Sequence, residues 1–128
     1  MPPKPPPFQV LILDDEKSWL RLVTSELRGR GWTCISAGSG TEACEAIGHS
    51  ADDVGAAVLD VNLGDVDGWK VAERLREANP TVAIVMMTGV VDAAVRQKMS
   101  RLSRAIVLEK PFSVDALQGA MIEAATAA

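Results

Sequence analysis

The chain has 128 residues, 48% of them hydrophobic and 23% charged, and a net charge of −4. This is the size of one domain with a real core, and the acidic balance argues against general nucleic-acid binding. No apolar run approaches the roughly 18 residues of a membrane span, and MPPKPPP at residues 1–7 lacks the apolar region of a signal peptide, so a cytoplasmic protein without a membrane partner is expected.

Residues 1–7 read as a proline-rich, disordered leader, and residues 8–128 as the domain. Phe8 to Leu13 is continuously apolar, the pattern of a strand buried on both faces. Glu16 to Arg28 carries Leu20, Val23 and Leu27 at helical spacing, and Gly29 and Gly31 end that helix. Trp32 to Ile35 is a weaker strand. Thr41 to Gly48 is a short helix with Ala43, Cys44 and Ile47 on one face. Ala56 to Asp60 reads as strand three. The turn from Asn62 to Gly68 leads into a helix with Val71, Ala72 and Leu75 inward, stopped by Asn79-Pro80. Val82 to Met87 is strand four. Val91, Val95, Met99 and Leu102 recur at helical spacing, Ala105 to Leu108 is strand five, and Ser113 caps a last helix whose inward residues are Val114, Leu117 and Met121.

Five strand-then-helix units predict an α/β fold: a five-stranded doubly wound parallel sheet of flavodoxin-like order 2-1-3-4-5, with helices on both faces. Strands one and three are then neighbours. Open α/β sheets bind ligands beyond the carboxyl ends of their strands. At those ends stand Asp14-Asp15, Asp60, Thr88-Gly89 and Glu109-Lys110-Pro111, so three carboxylates, a hydroxyl and an ammonium converge there.

Two like charges 4 Å apart repel by about 4 kcal/mol at an effective dielectric near 20, so such a cluster calls for a cation. Hard oxygen ligands without His or Cys suit Mg²⁺, with Mn²⁺ an alternative. A carboxylate can also attack phosphorus and form an aspartyl phosphate. Asp60, alone at its strand end, is the candidate nucleophile, and Asp14 and Asp15 the candidate metal holders. Lys110 supplies a point charge for a phosphoryl oxygen and Thr88 a hydrogen bond.

These residues, with VLIL before Asp14, AAVL before Asp60, DVNLGDVDGW from Asp60, IVMM before Thr88 and Lys110-Pro111-Phe112 after IVLE, resemble the receiver domain of two-component response regulators. The likeness runs from about residue 8 to the end. It implies that Asp60 is the phosphoacceptor, that Asp15 and Asp60 ligate Mg²⁺ directly, Asp14 partly through water, and Asn62 through its backbone carbonyl. It also implies that the Thr88 hydroxyl follows the phosphoryl group, that Lys110 pairs with it, and that Pro111 follows a cis bond. The implied partners are a histidine kinase or histidine phosphotransfer protein, and a downstream protein meeting the Val91–Leu102 helix and strand five. The chain then acts as a stand-alone phosphoacceptor rather than an enzyme.

Two positions depart from the pattern. Leu63-Gly64 replaces the usual Met-Pro, a change that glycine accommodates. Val107 stands where many relatives carry Tyr or Phe, which leaves coupling through strand five to other residues. Asn62 and Val90 border the pocket, where side chains tune the phosphoryl lifetime. Arg96, Lys98, Arg101 and Arg104 offer a basic partner surface. Trp19, Trp32 and Trp69 read as packing groups, with Trp69 a reporter of metal binding through its closeness to Asp60 in sequence. His49 reads as a surface or capping residue, and Cys34 and Cys44 as small hydrophobes of a reducing compartment. The rival readings are an interaction module that is never phosphorylated, a phosphate sink in a relay, and an aspartyl hydrolase. The last needs a second acid where Asn62 stands.

Overall fold

The computed structural model describes residues 9–127, so the expected leader at residues 1–7, and Phe8, lie outside the described residues. The elements run β1 Gln9–Leu13, α1 Lys17–Gly29, β2 Thr33–Ala37, α2 Gly40–Ser50, a single 3₁₀ turn Ala51–Asp53, β3 Val54–Asp60, α3 Gly68–Ala78, β4 Ala83–Thr88, α4 Ala93–Met99, β5 Ala105–Glu109 and α5 Val114–Thr126. All strand pairs are parallel and the sheet order is β2-β1-β3-β4-β5, the flavodoxin-like order expected from the strand–helix alternation.

Strand alternation splits the core into two layers. Val10, Ile12, Ala56, Val58, Val85 and Met87 face α1 and α5, where Leu20, Val23, Leu27, Leu117 and Met121 cover them. Leu11, Leu13, Ala57, Leu59, Ile84 and Met86 face the other way, onto α2, α3 and α4. Both sides of the central strands are therefore dry, which is why their sequences are continuously apolar. β5 is the exception. Its apolar residues Ala105 to Leu108 are only half-buried, because it is an edge strand beside the shortest helix.

The structure moves several expected boundaries. β2 begins after Trp32, whose indole instead donates to the Gln118 side chain of α5 at 3.0 Å. Gly29 lies inside α1. The helix is closed at Gly31, which takes φ 96°, while Gly31 N donates to Arg28 O and Trp32 N to Leu27 O, a paired closure that favours glycine. The helix expected over Val91–Leu102 is confined to Ala93–Met99. Asp92 caps its start by accepting from Val95 N at 2.9 Å, and its only buried residue is Val95. Met99 and Leu102 still pack inward, but Leu102 does so from the turn that follows.

Arg76 ties the opposite end of the sheet together. Its guanidinium donates to the carbonyls of Asn79, Pro80, Val82, Ser103 and Arg104, joining the segments that enter β4 and β5. Charged donors to buried acceptors are the stronger class of hydrogen bond. Arg76→Met is therefore expected to lower stability by about 2–3 kcal/mol in urea denaturation, while Arg96→Met, on the exposed side of α4, stays within about 0.5 kcal/mol of the parent.

Candidate phosphoacceptor and metal site

Asp14 follows β1 and Asp60 ends β3, and the pairing of Leu13 with Leu59 sets these ends side by side. By strand alternation both side chains fall on the α1/α5 side of the sheet. One oxygen each from Asp14, Asp15 and Asp60 lies within 4.8 Å of the others. Asp14 and Asp60 are buried and Asp15 is exposed. Lys110, just past β5, reaches back over the edge. Its Nζ lies 2.8 Å from Asp14 Oδ2 and 3.3 Å from Asp60 Oδ2. The second oxygens are held by backbone: Glu16 N donates to Asp14 Oδ1 at 2.9 Å and Asn62 N to Asp60 Oδ1 at 3.0 Å. The Lys110–Pro111 bond is cis.

Burial pushes the Asp60 pKa above its usual value, against the Asn62 amide and the Lys110 charge that pull it down, and the Asp14 charge adds to the rise. Burial works against the Lys110 ammonium as well, but its hydrogen bond to Asp14 and the charges of Asp14 and Asp60 outweigh it and hold the pKa above the usual lysine value. The crevice is thus two buried carboxylates and one exposed one, sharing a single ammonium. The donor set of hard oxygens fits a small divalent cation such as Mg²⁺. Asp14, Asp15 and Asp60 would hold it.

Thr88 is buried at the end of β4, but the structure does not bring its hydroxyl into this network. The hydroxyl donates to Val90 O at 3.0 Å and accepts from Val90 N at 3.3 Å, and strand alternation turns Thr88 toward the layer of Met86. Its backbone joins the site instead: Thr88 O accepts from Lys110 N at 2.8 Å, fixing the root of the lysine.

The loop from Asn62 to Gly68 is built by side chains rather than by a left-handed glycine. Among the described glycines only Gly31 has positive φ, so the turn does not draw on the freedom expected of Gly64. Asp65 instead accepts from Gly40 N, Thr41 N and the Thr41 hydroxyl at 2.9 to 3.0 Å. These bonds hold its carboxyl well below the usual range and moor the loop to the start of α2. Asp67 caps α3 by accepting from Trp69 N at 2.8 Å. Gly68 is required by closeness: a Cβ there would press on the Asp60 carbonyl oxygen and lie 2.9 Å from its carbon.

Other expected residues separate. Trp69, expected to report on the site, is buried on the α3/α4 side with Lys98 Nζ 5.6 Å from its ring centre. Trp19, read from the sequence as packing, has Lys110 Nζ 5.2 Å from its ring centre. No sequence spacing pointed to that contact, since 91 positions separate the two residues. Of the four basic residues, Arg96, Lys98 and Arg101 are exposed, Lys98 with its ammonium over Trp69, while Arg104, at φ 49°, donates to Thr81 O.

The sequence profile of the response regulator receiver domain matches residues 10–122. The chain belongs to that family. It is 34% identical over 111 residues to the probable transcriptional regulatory protein TcrX of Mycobacterium tuberculosis, covering 85% of this chain and 46% of that one. It is 28% identical to the sensor histidine kinase RcsC of Salmonella typhi, covering 87% of this chain and 12% of the kinase. The chain therefore spans less than half the length of these curated relatives. A response regulator receiver protein from Sinorhizobium medicae superposes with a TM-score of 0.80 at 30% identity, covering 92% of this chain and 94% of that one. Among the described residues no helix is long and apolar enough to cross a membrane.

Two outcomes follow for the receiver. Because the folded-state pKa of Asp60 is raised, its contribution to stability is complete below the unfolded value of 3.8 and is lost as pH rises through the folded value. Asp60→Asn is therefore expected to raise the urea midpoint of the metal-free protein at neutral pH, a gain that shrinks as pH falls through the raised folded-state value and is gone below 3.8. Gly68→Ala is expected to cost about 1–3 kcal/mol by overpacking, whereas Gly48→Ala, with open space around it on α2, gains up to about 1 kcal/mol; urea denaturation of both variants measures the contrast.

Proposed function

We propose that this receiver accepts a phosphoryl group on Asp60 from a phosphohistidine, carried by a histidine kinase or a histidine phosphotransfer protein, in a reaction that requires Mg²⁺, and that it signals by protein contact. The observation that carries the reading is the single Lys110 ammonium spanning the buried carboxylates of Asp14 and Asp60. It leaves the crevice with an excess of negative charge that one divalent cation balances, and with a cation already beside the oxygen that would attack.

A carboxylate oxygen of Asp60 attacks phosphorus and the phosphorus–nitrogen bond of phosphohistidine breaks, leaving the imidazole with the electron pair. Asn62 N holds Oδ1 of Asp60 and so fixes the plane of the carboxylate. Lys110 exchanges its bond to Asp60 Oδ2 for one to a phosphoryl oxygen, a move of the flexible stem with its root held by Thr88 O. Bound Mg²⁺ would neutralise phosphoryl oxygens and lower the repulsion between them and the carboxylates.

Thr88 is the link to output. To hydrogen-bond a phosphoryl oxygen it must release Val90 O, and that release frees the segment leading into α4. With Val107 on β5 there is no aromatic ring to rotate, so the signal leaves through the β4–α4 segment, the exposed Val90 side chain, and the face bearing Arg96 and Arg101. A small phosphodonor with Mg²⁺ is expected to add one phosphoryl group by intact mass, and Asp60→Asn is expected to add none. An unchanged mass in the parent chain would favour an interaction module that works without phosphorylation.

A further inference from the structure

We propose that Trp19 is a positioning residue for Lys110, its indole face holding the ammonium over the crevice and so lengthening the life of a phosphoryl group on Asp60. The inference rests on the reading of Asp60 as phosphoacceptor. Lys110 Nζ is 5.2 Å from the Trp19 ring centre, within the range where the negative face of an indole attracts a cation. The same nitrogen contacts Asp14 and Asp60, so the ring is the third wall of its resting place.

The ring is itself held. Phe112 meets it edge-on, with centroids 5.8 Å apart and planes at 87°, a favoured aromatic geometry. Trp19 lies in the first turn of α1, which follows the acid pair at Asp14-Asp15, and Phe112 lies two residues beyond Lys110. The two segments that deliver the acids and the ammonium are thus pinned together by the pair of rings. Trp19 and Phe112 both pack at the margin of the α1/α5 core layer, which fixes the indole while the lysine stem can swing across it.

Hydrolysis of the phosphoryl group proceeds by attack of water on phosphorus. The bond from phosphorus to the Asp60 oxygen breaks, the carboxylate is restored, and the proton of the water leaves with the phosphate. An ammonium kept on the indole face stays against the phosphoryl oxygens and takes up space beside them that the attacking water would otherwise occupy. Without the ring, the four-carbon stem of Lys110 is free to turn into solvent.

The test uses the full chain, loaded from a small phosphodonor with Mg²⁺ and then freed of donor, with decay followed by intact mass. Trp19→Leu keeps apolar bulk but has no aromatic face, and Trp19→Phe restores a smaller one. Decay about 2–5-fold faster is expected for Trp19→Leu, the range of a partly exposed cation–π contact, with Trp19→Phe between it and the parent. Ring-current shifts on the Lys110 methylenes, read by NMR without phosphodonor, are expected to vanish in Trp19→Leu and partly return in Trp19→Phe; the same spectra report that both variants are folded. Decay at the parent rate in Trp19→Leu, or faster decay that Trp19→Phe does not relieve, overturns the proposal alone. A parent chain that accepts no phosphoryl group overturns both readings.

Discussion

One ammonium serving two buried carboxylates is the constraint on which the site depends. Asp14 and Asp60 cannot stand beside each other in a low-dielectric crevice without a cation, and Lys110 comes from the far side of β4 to provide it. Two parallel strand ends and an edge strand must therefore keep their positions to within a hydrogen-bond length. The dry layers on both faces of the sheet make that possible, because close-packed side chains of fixed rotamer resist small shifts. The unbalanced charge that remains suits a divalent cation, and the raised pKa of Asp60 records how costly its ionised form is without one.

Around this crevice several polar side chains are spent on backbone groups. Asp65 and Asp67 hold the loop after Asp60, and Asp92 starts α4. At the other end of the sheet Arg76 gathers carbonyls from the segments entering β4 and β5. The segment leading into α4 is tied more lightly. The segment after Thr88 is fastened by a hydroxyl bond to Val90, and it leads to a helix that buries a single residue. A region with few buried contacts opens readily.

The receiver architecture was legible along the chain. Continuous apolar runs ending in Asp14, Asp60, Thr88 and Lys110 announce doubly covered parallel strands and place their ends on one edge, because crossover handedness leaves few topologies. The shortness of α4 was less legible. Val91, Val95, Met99 and Leu102 keep helical spacing, yet Asp92 captures Val95 N and the chain turns after Met99, so periodicity extended the helix at both ends. The turn at Gly64 is a similar case. Glycine marks where left-handed backbone is permitted, but here two aspartates hold the loop without it.

Sequence by itself determined which residues stand at the strand ends, because periodicity and the order of crossovers are local properties repeated five times. It set the donor inventory of the crevice too, oxygen ligands and one lysine, a set that fits a hard cation. Only the tertiary structure decided how those groups are engaged. That Thr88 bonds to Val90, that Lys98 lies over Trp69 and that Trp19 lies beside Lys110 are outcomes of side-chain packing between distant elements. Such contacts turn on a few ångströms of lateral placement and on the direction of one rotamer, and no repeat along the chain encodes them.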